Sequence, residues 1–254
     1  MVQENAAAWS PLPQRKTMFE LAAAKLEEMI AAGRWKKGEM LPSEVELAES
    51  FGVAQGTMRR ALRILSEKGI LVRHQGKGTF VADYLSVASS VAARYVLLVP
   101  DEKTSPLPFR TELELFEEIE APAEVARGLA VPVGTPVIHV KRAHYIQGAV
   151  LPQSLDEHFL PKALFGALTR QAMERHEEKV LYAFYQNACG VTVMNYNEEV
   201  KAEILDAALC ERYGFESPCA ALIGRRVATT FGGQPVEYRI QHYLTRGYHF
   251  QISV

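Results

Sequence analysis

Apolar positions recur at helical spacing three times in the first eighty residues. From Met18 to Ile30 they fall at Phe19, Ala22, Ala23, Leu26, Met29 and Ile30, a three-and-four rhythm that predicts a helix with one buried face, ended at Gly33. After the turn-forming stretch GRWKKGEMLPS, a short second helix is predicted to bury Val45, Leu47 and Ala48 and to stop at Gly52. Ser43 and Glu46 form a capping box at its start, the hydroxyl accepting from the Glu46 amide while the carboxylate reaches back. A third helix is predicted from Gln55 to Lys68, with Met58, Ala61, Leu62 and Leu65 inward and Gly69 as its C-terminal cap.

The outer side of that third helix carries Gln55, Gly56, Arg59, Arg60 and Arg63. Two helices joined by a tight glycine-bearing turn, the second with arginines on its N-terminal half, match a helix-turn-helix that enters the major groove. The same residues also suit the solvated face of an ordinary three-helix bundle. The next segment, ILVRHQGKGTFV, reads as strand, glycine turn and strand, a hairpin wing whose Lys77 and backbone amides can reach phosphates or the minor groove.

Further along, DYLSVASSVAA (residues 83–93) is small and polar enough for an interdomain connector. Beyond it a weak repeat appears at an offset of 84 residues: EVARGLAVPVGTPVIHVKRAHYIQG (124–148) lies over LCERYGFESPCAALIGRRVATTFGG (208–232), superposing Arg142 on Arg226 and Gly148 on Gly232. Each copy reads as helix, turn, strand and glycine turn into another strand. A repeated unit of this kind builds an antiparallel sheet with helices on one face. Ile138, Val140, Arg142 and His144 share one face of a predicted strand, and Glu237, Arg239, Gln241 and Tyr243 share one face of another. Polar groups converging on a sheet face that should be apolar suggest a pocket, the alternatives being a cross-strand pair for Arg142 and Glu237 and an edge-strand aromatic for Tyr243.

Charge distribution sharpens the division. Residues 1–82 carry 12 Lys and Arg against 9 Asp and Glu, whereas residues 83–254 carry 16 against 21, so a basic front half precedes an acidic remainder. Three cysteines without paired spacing argue against a disulfide scaffold or a thiolate zinc site. MVQENAAAWSPLPQRKT has no apolar core of a signal peptide, no apolar run approaches the ~18 residues of a membrane helix, and residues 1–14 read as a disordered lead-in. Neither a metalloprotease, a nucleophile-elbow nor a phosphate-loop motif is present, which predicts no enzyme, no metal and no cofactor.

Residues 16–82, through GEMLPSEVELAESFGV, TMRRAL and GKGTFV, resemble the winged helix-turn-helix domain of the GntR superfamily of bacterial transcription regulators. The resemblance implies DNA contacts from Ser43, Gln55, Gly56, Thr57, Arg59, Arg60 and Arg63 and, on the wing, from His74, Gln75, Gly76 and Lys77. Two arginines common in the family are replaced, by Val45 after LPSE and by Gln55 at the start of the third helix, which leaves Arg59 as the residue best matched to read a guanine edge.

Residues 94–254 are similar to the UTRA effector domain of the HutC-like branch, through GGQPVEYRIQHYL and the final GYHFQISV. That likeness implies a chorismate-lyase-like fold and an effector pocket lined by Arg142, His144, Asp156, Glu237 and Tyr243. His144 stands where the family has a second strand arginine, and Val180 where a serine or threonine is expected, which argues against a phosphosugar-type anion. The expected protein is α+β: a winged helix-turn-helix domain at 15–82, a linker at 83–93 and an antiparallel sheet with helices on one face at 94–254. It is expected to be a cytoplasmic, homodimeric, metabolite-responsive repressor of a palindromic duplex DNA operator, with no membrane contact. Its alternatives are a DNA-binding regulator without an effector and an enzyme built on the second domain.

Overall fold

The computed structural model describes residues 16–82, 97–102, 109–146, 148–175 and 181–251; the lead-in at 1–14, the linker at 83–93 and Val180 lie outside them. The chain divides into two compact units, Met1–Val81 and Ala82–Val254.

In the first unit α1 (Met18–Ala31) opens on a capping box between Thr17 and Glu20 and buries Ala22, Ala23, Leu26 and Ile30. α2 (Glu44–Phe51) opens on the expected Ser43–Glu46 box, with 2.8 Å from the Ser43 amide to the Glu46 carboxylate and 3.3 Å from the Glu46 amide to the Ser43 hydroxyl. It closes at Gly52 in the left-handed region, φ 62°, where a side chain would be strained. α3 (Gln55–Glu67) turns Met58, Ala61, Leu62 and Leu65 fully inward. Val45 corrects the sequence reading: it is 47% exposed, while Leu47 is buried. At 3.6 residues per turn the two lie about 200° apart around α2, so the face that buries one leaves the other in water.

The hairpin follows as β1 (Leu71–His74) and β2 (Gly78–Val81), paired from Leu71 with Val81 to His74 with Gly78. Leu71 and Val81 anchor its base in the core, and Gly76, φ 74°, makes the tip.

The second unit is built on a six-stranded antiparallel sheet. Its strands are β4 (Phe109–Glu120), β5 (Pro136–Ile146), β6 (Ser154–Pro161), β7 (Asn195–Ile204), β8 (Ala220–Thr229) and β9 (Pro235–Leu244), in the order β4-β5-β6-β9-β8-β7. A separate pair joins β3 (Leu97–Pro100) to β10 (Tyr248–Gln251). With α4 (Ala123–Leu129) and α8 (Ala207–Tyr213), the chain runs strand, helix, strand, strand twice. The internal echo is therefore a structural repeat, and the two copies meet where β6 pairs with β9. Both helices of the repeat pack on one sheet face, α4 against Val137, Phe159 and Tyr238, and α8 against Ala221, Ile223 and Leu244.

The opposite face is covered by the segment between the copies: α5 (Lys162–Phe165), α6 (Arg170–Arg175) and α7 (Leu181–Cys189). Their Phe165, Met173, Tyr182, Phe184 and Tyr185 pack over Ile138, Val140, Leu160, Ala228 and Val236. Helices thus lie on both sides, because an insertion covers the face that the repeat leaves open.

Candidate functional site

On the first unit, the face of α3 opposite its buried stripe presents Gln55, Gly56, Arg59, Arg60 and Arg63 to solvent, with Thr57 half-buried. His74, Gln75, Gly76 and Lys77 are exposed around the wing tip. The three arginines differ in what holds them. Arg60 lies over the Phe19 ring of α1 at 3.9 Å, a cation–π contact, and Arg63 reaches Glu67 one turn on at 3.5 Å. Arg59 donates from Nε to Glu44 Oε2 at 2.8 Å, and Glu44 Oε1 accepts from Nη2 of Arg73 on β1. Partial burial pushes the Glu44 carboxyl up, but the Arg59 hydrogen bond and the charges of Arg73 and Arg59 hold it below its ordinary value. Ser43 spends one of its two hydroxyl lone pairs on the Glu46 amide and keeps its O–H to donate to a phosphate oxygen.

On the second unit, a layer of buried polar groups lies on the sheet face under α7. One cross-strand row runs Glu198, Arg226, Arg239 and His158, through the pairings of β7 with β8, β8 with β9 and β9 with β6. A neighbouring row carries Gln241, Asp156 and Arg142. Arg142, Asp156, His158, Arg226, Glu237 and Arg239 are all 7% exposed or less. Arg142 grips Asp156 with two bonds, Nε to Oδ1 at 3.0 Å and Nη2 to Oδ2 at 2.6 Å, and His144 Nε2 meets the same Oδ2 at 2.9 Å. His158 lies between the two acids, its Nδ1 2.7 Å from Glu237 Oε1 and its Nε2 3.0 Å from Asp156 Oδ2. Tyr182 and Tyr185, one turn apart on α7, donate to Glu237 at 2.9 and 3.0 Å. Arg226 donates to Glu198 at 2.6 Å and stacks on Tyr196.

Burial alone would raise both central carboxyls. Around Asp156, Arg142, His158 and His144 outweigh it and hold the group well below the carboxylate range; around Glu237, the Arg239 charge and the bonds from His158 and Tyr182 bring it to about 2. Burial in turn lowers His144 despite the pull of Asp156. Three guanidiniums and three carboxylates therefore balance inside a water-excluding layer.

The sequence-predicted pocket residues are brought together here, with two corrections. Arg142 and Glu237 are not a cross-strand pair: Arg142 faces Asp156, Glu237 faces Ala228, and His158 connects the two groups. Tyr243 is no edge-strand aromatic but sits on the inner strand β9, 4% exposed, its hydroxyl 3.0 Å from Gln241 Oε1. His158, Arg226, Tyr182, Tyr185 and Glu198 were missed. Arg226 was signalled by its superposition on Arg142 in the repeat, and His158 by lying two residues beyond Asp156 on one strand face; Glu198 and the tyrosines had no local signal.

Comparison with known proteins agrees with this division. The model for bacterial regulatory proteins of the gntR family matches residues 20–81, and that for the UTRA domain matches residues 107–249. The chain belongs to the GntR family. Its UTRA domain sets it in the HutC-like branch, as a DNA-binding transcriptional regulator with an effector domain rather than an enzyme.

Among its relatives, this GntR regulator is 33% identical over 187 residues to the mannosyl-D-glycerate transport/metabolism system repressor MngR of Escherichia coli, covering 73% of this chain and 74% of that one. It is 34% identical to the histidine utilization repressor of Klebsiella aerogenes over 147 residues, 54% of this chain and 56% of the relative. The ligand-binding domain of a Bordetella bronchiseptica protein assigned to the GntR family superposes with a TM-score of 0.58 at 27% identity, over 63% of this chain and 98% of that one.

Proposed function

We propose that the protein is a cytoplasmic, homodimeric repressor that binds a palindromic operator and is released by a small carboxylate-bearing metabolite. The observation that carries the DNA half is the outward face of α3, with Arg59 beside a glycine-tipped wing bearing Lys77. Two such heads on a twofold dimer would meet half-sites about one helical turn apart, ~34 Å. Much of the affinity would come from phosphates and fall steeply with salt. Arg59 would read a guanine edge, while Ser43, Gln55, Gly56, Thr57, Arg60, Arg63, His74, Gln75, Gly76 and Lys77 would hold the register.

For the effector, the polar layer beneath α7 gathers the ionisable groups with which a small charged molecule could exchange partners once the packing above them opens to admit it. Relatives named for mannosyl-D-glycerate and histidine systems both concern carboxylate-bearing metabolites. A ligand carboxylate competing with Asp156 for Arg142 would be the simplest exchange, with His144, Glu237 and Tyr243 bordering it. One observation favours the second reading, a regulator without effector: Arg142 is already held by Asp156 and His158, and Glu237 by His158, Tyr182 and Tyr185.

A thermal-shift panel of small hydroxy- and amino-carboxylates, their amides and sugar phosphates tests the choice on the full chain. Stabilisation by a carboxylate but not its amide, with release of a duplex selected by the protein, supports the proposal. No stabilisation by any member, with duplex binding intact, overturns the effector half; failure to select any duplex overturns the DNA half.

A further inference from the structure

Glu44 stands in an unexpected place for a DNA-binding surface. Its carboxylate is on the first turn of α2, 22% exposed, and meets guanidiniums from two other elements: Arg59 of α3, 60% exposed, and Arg73 of β1, 47% exposed. A carboxylate on the side presented to a polyanion opposes binding through simple charge repulsion. Its partners indicate what offsets that cost.

The bond from Arg59 uses Nε at 2.8 Å. The terminal fork of Nη1 and Nη2, four N–H donors in one plane, is not part of it. An arginine free at all of its torsions loses much side-chain freedom when it docks on a base, whereas one already held at Nε has lost most of it beforehand. Arg73 supplies the same carboxylate from the wing, so one group ties the recognition helix to the hairpin beside it. We propose that Glu44 is a specificity-determining positioning residue: it holds Arg59 by its Nε edge so that the Nη fork addresses one base pair, and it couples that fork to the wing through Arg73. The inference rests on the reading of Arg59 as a base contact.

Its consequence is a split between two kinds of DNA binding. Glu44→Gln removes one negative charge and leaves a single acceptor oxygen for two guanidiniums. Binding to unrelated duplex then tightens, because repulsion has gone, while discrimination at the base pair of Arg59 relaxes. A residue with a purely architectural role would lower both together.

The test uses the full chain and two probes: the duplex that the wild type enriches from a randomised pool, and sonicated calf thymus DNA. For Glu44→Gln the affinity for the enriched duplex falls about tenfold, the share that a well-aimed arginine fork contributes. On calf thymus DNA at low salt it rises about twofold. Substitutions scanned along the enriched duplex lose their penalty at the same base pair that Arg59→Ala makes tolerant, and Glu44→Gln adds nothing in an Arg59→Ala background. Glu44→Ala, which keeps a strong helix former and removes both acceptors, repeats the pattern and guards against a folding defect peculiar to one variant. Equal loss on both DNAs, or retained discrimination at that base pair, overturns the role of Glu44. Should Arg59→Ala leave the enriched duplex unaffected, the base-reading assignment itself fails; should Arg59→Ala cost affinity while Glu44→Gln does not, only the positioning role fails.

Discussion

Replacing Glu237 by glutamine should destabilise the second unit by about 3 kcal/mol at pH 7 and by almost nothing near pH 2. The side chain is fully buried, with His158 2.7 Å away and the hydroxyls of Tyr182 and Tyr185 donating to it. Its carboxyl lies at about 2 in the folded chain against an ordinary 4.5. That difference, at about 1.4 kcal/mol per tenfold in proton affinity, corresponds to about 3 kcal/mol of stability from ionisation. The figure falls in the ~3–5 kcal/mol range for removing one partner of a buried ion pair. Because the folded carboxyl is the more acidic, its contribution is complete above pH 4.5 and is lost as pH falls towards 2. Glutamine keeps the shape and has no such dependence. The difference between wild type and Glu237→Gln should therefore shrink steadily over that window, even though Asp156 and Glu157, also held low, titrate in both proteins. Trp35, the tryptophan among the described residues, belongs to the first unit and does not follow this transition. Urea-dependent hydrogen exchange of peptides covering β9, at pH 7, 5, 4 and 3, reads it directly. A penalty that stays constant with pH, or one under ~1 kcal/mol at pH 7, would refute the assignment of Glu237 as a buried ionised hub.

Gly128→Ala should lower the melting temperature of the second unit, since a Cβ there would stand 2.5 Å from the Tyr238 ring, whose hydroxyl is tied to Glu124; overpacking of this kind costs ~1–3 kcal/mol and is checked by calorimetry. Ser43→Ala should cost the first unit ~1 kcal/mol through the lost α2 cap, seen as a lower urea midpoint by Trp35 fluorescence, with the second unit unchanged.

Local patterns carried the first unit almost completely. Apolar spacing located α1, α2 and α3, glycines at 52 and 76 located the turns, and Ser43 with Glu46 announced a cap that forms as expected. Each of these is an interaction between residues three or four apart, so chain geometry alone dictates it. Val45 was misplaced because a helix of eight residues has too few positions to define its buried side. In the second unit, the repeat predicted an antiparallel sheet with the two repeated helices on one face, as α4 and α8 are. It was silent about the insertion that roofs the other face, because that segment has no counterpart in the repeat.

What the sequence by itself determined is the three helices and hairpin of the first unit, the repeated helix and strand pair of the second, the two-unit division and the presence of ionisable groups on alternating strand positions. Partner choice belonged to the tertiary structure. Arg142 meets Asp156 rather than Glu237 only because β5 pairs with β6 in a particular register, His158 becomes the link because β6 lies beside β9, and Glu44 joins Arg59 to Arg73 only once α2, α3 and the wing have closed on one core. Such contacts join residues between 14 and 79 positions apart. No periodicity along the chain encodes a separation of that kind, and it is settled by which packing buries the most apolar surface while leaving every interior charge a partner.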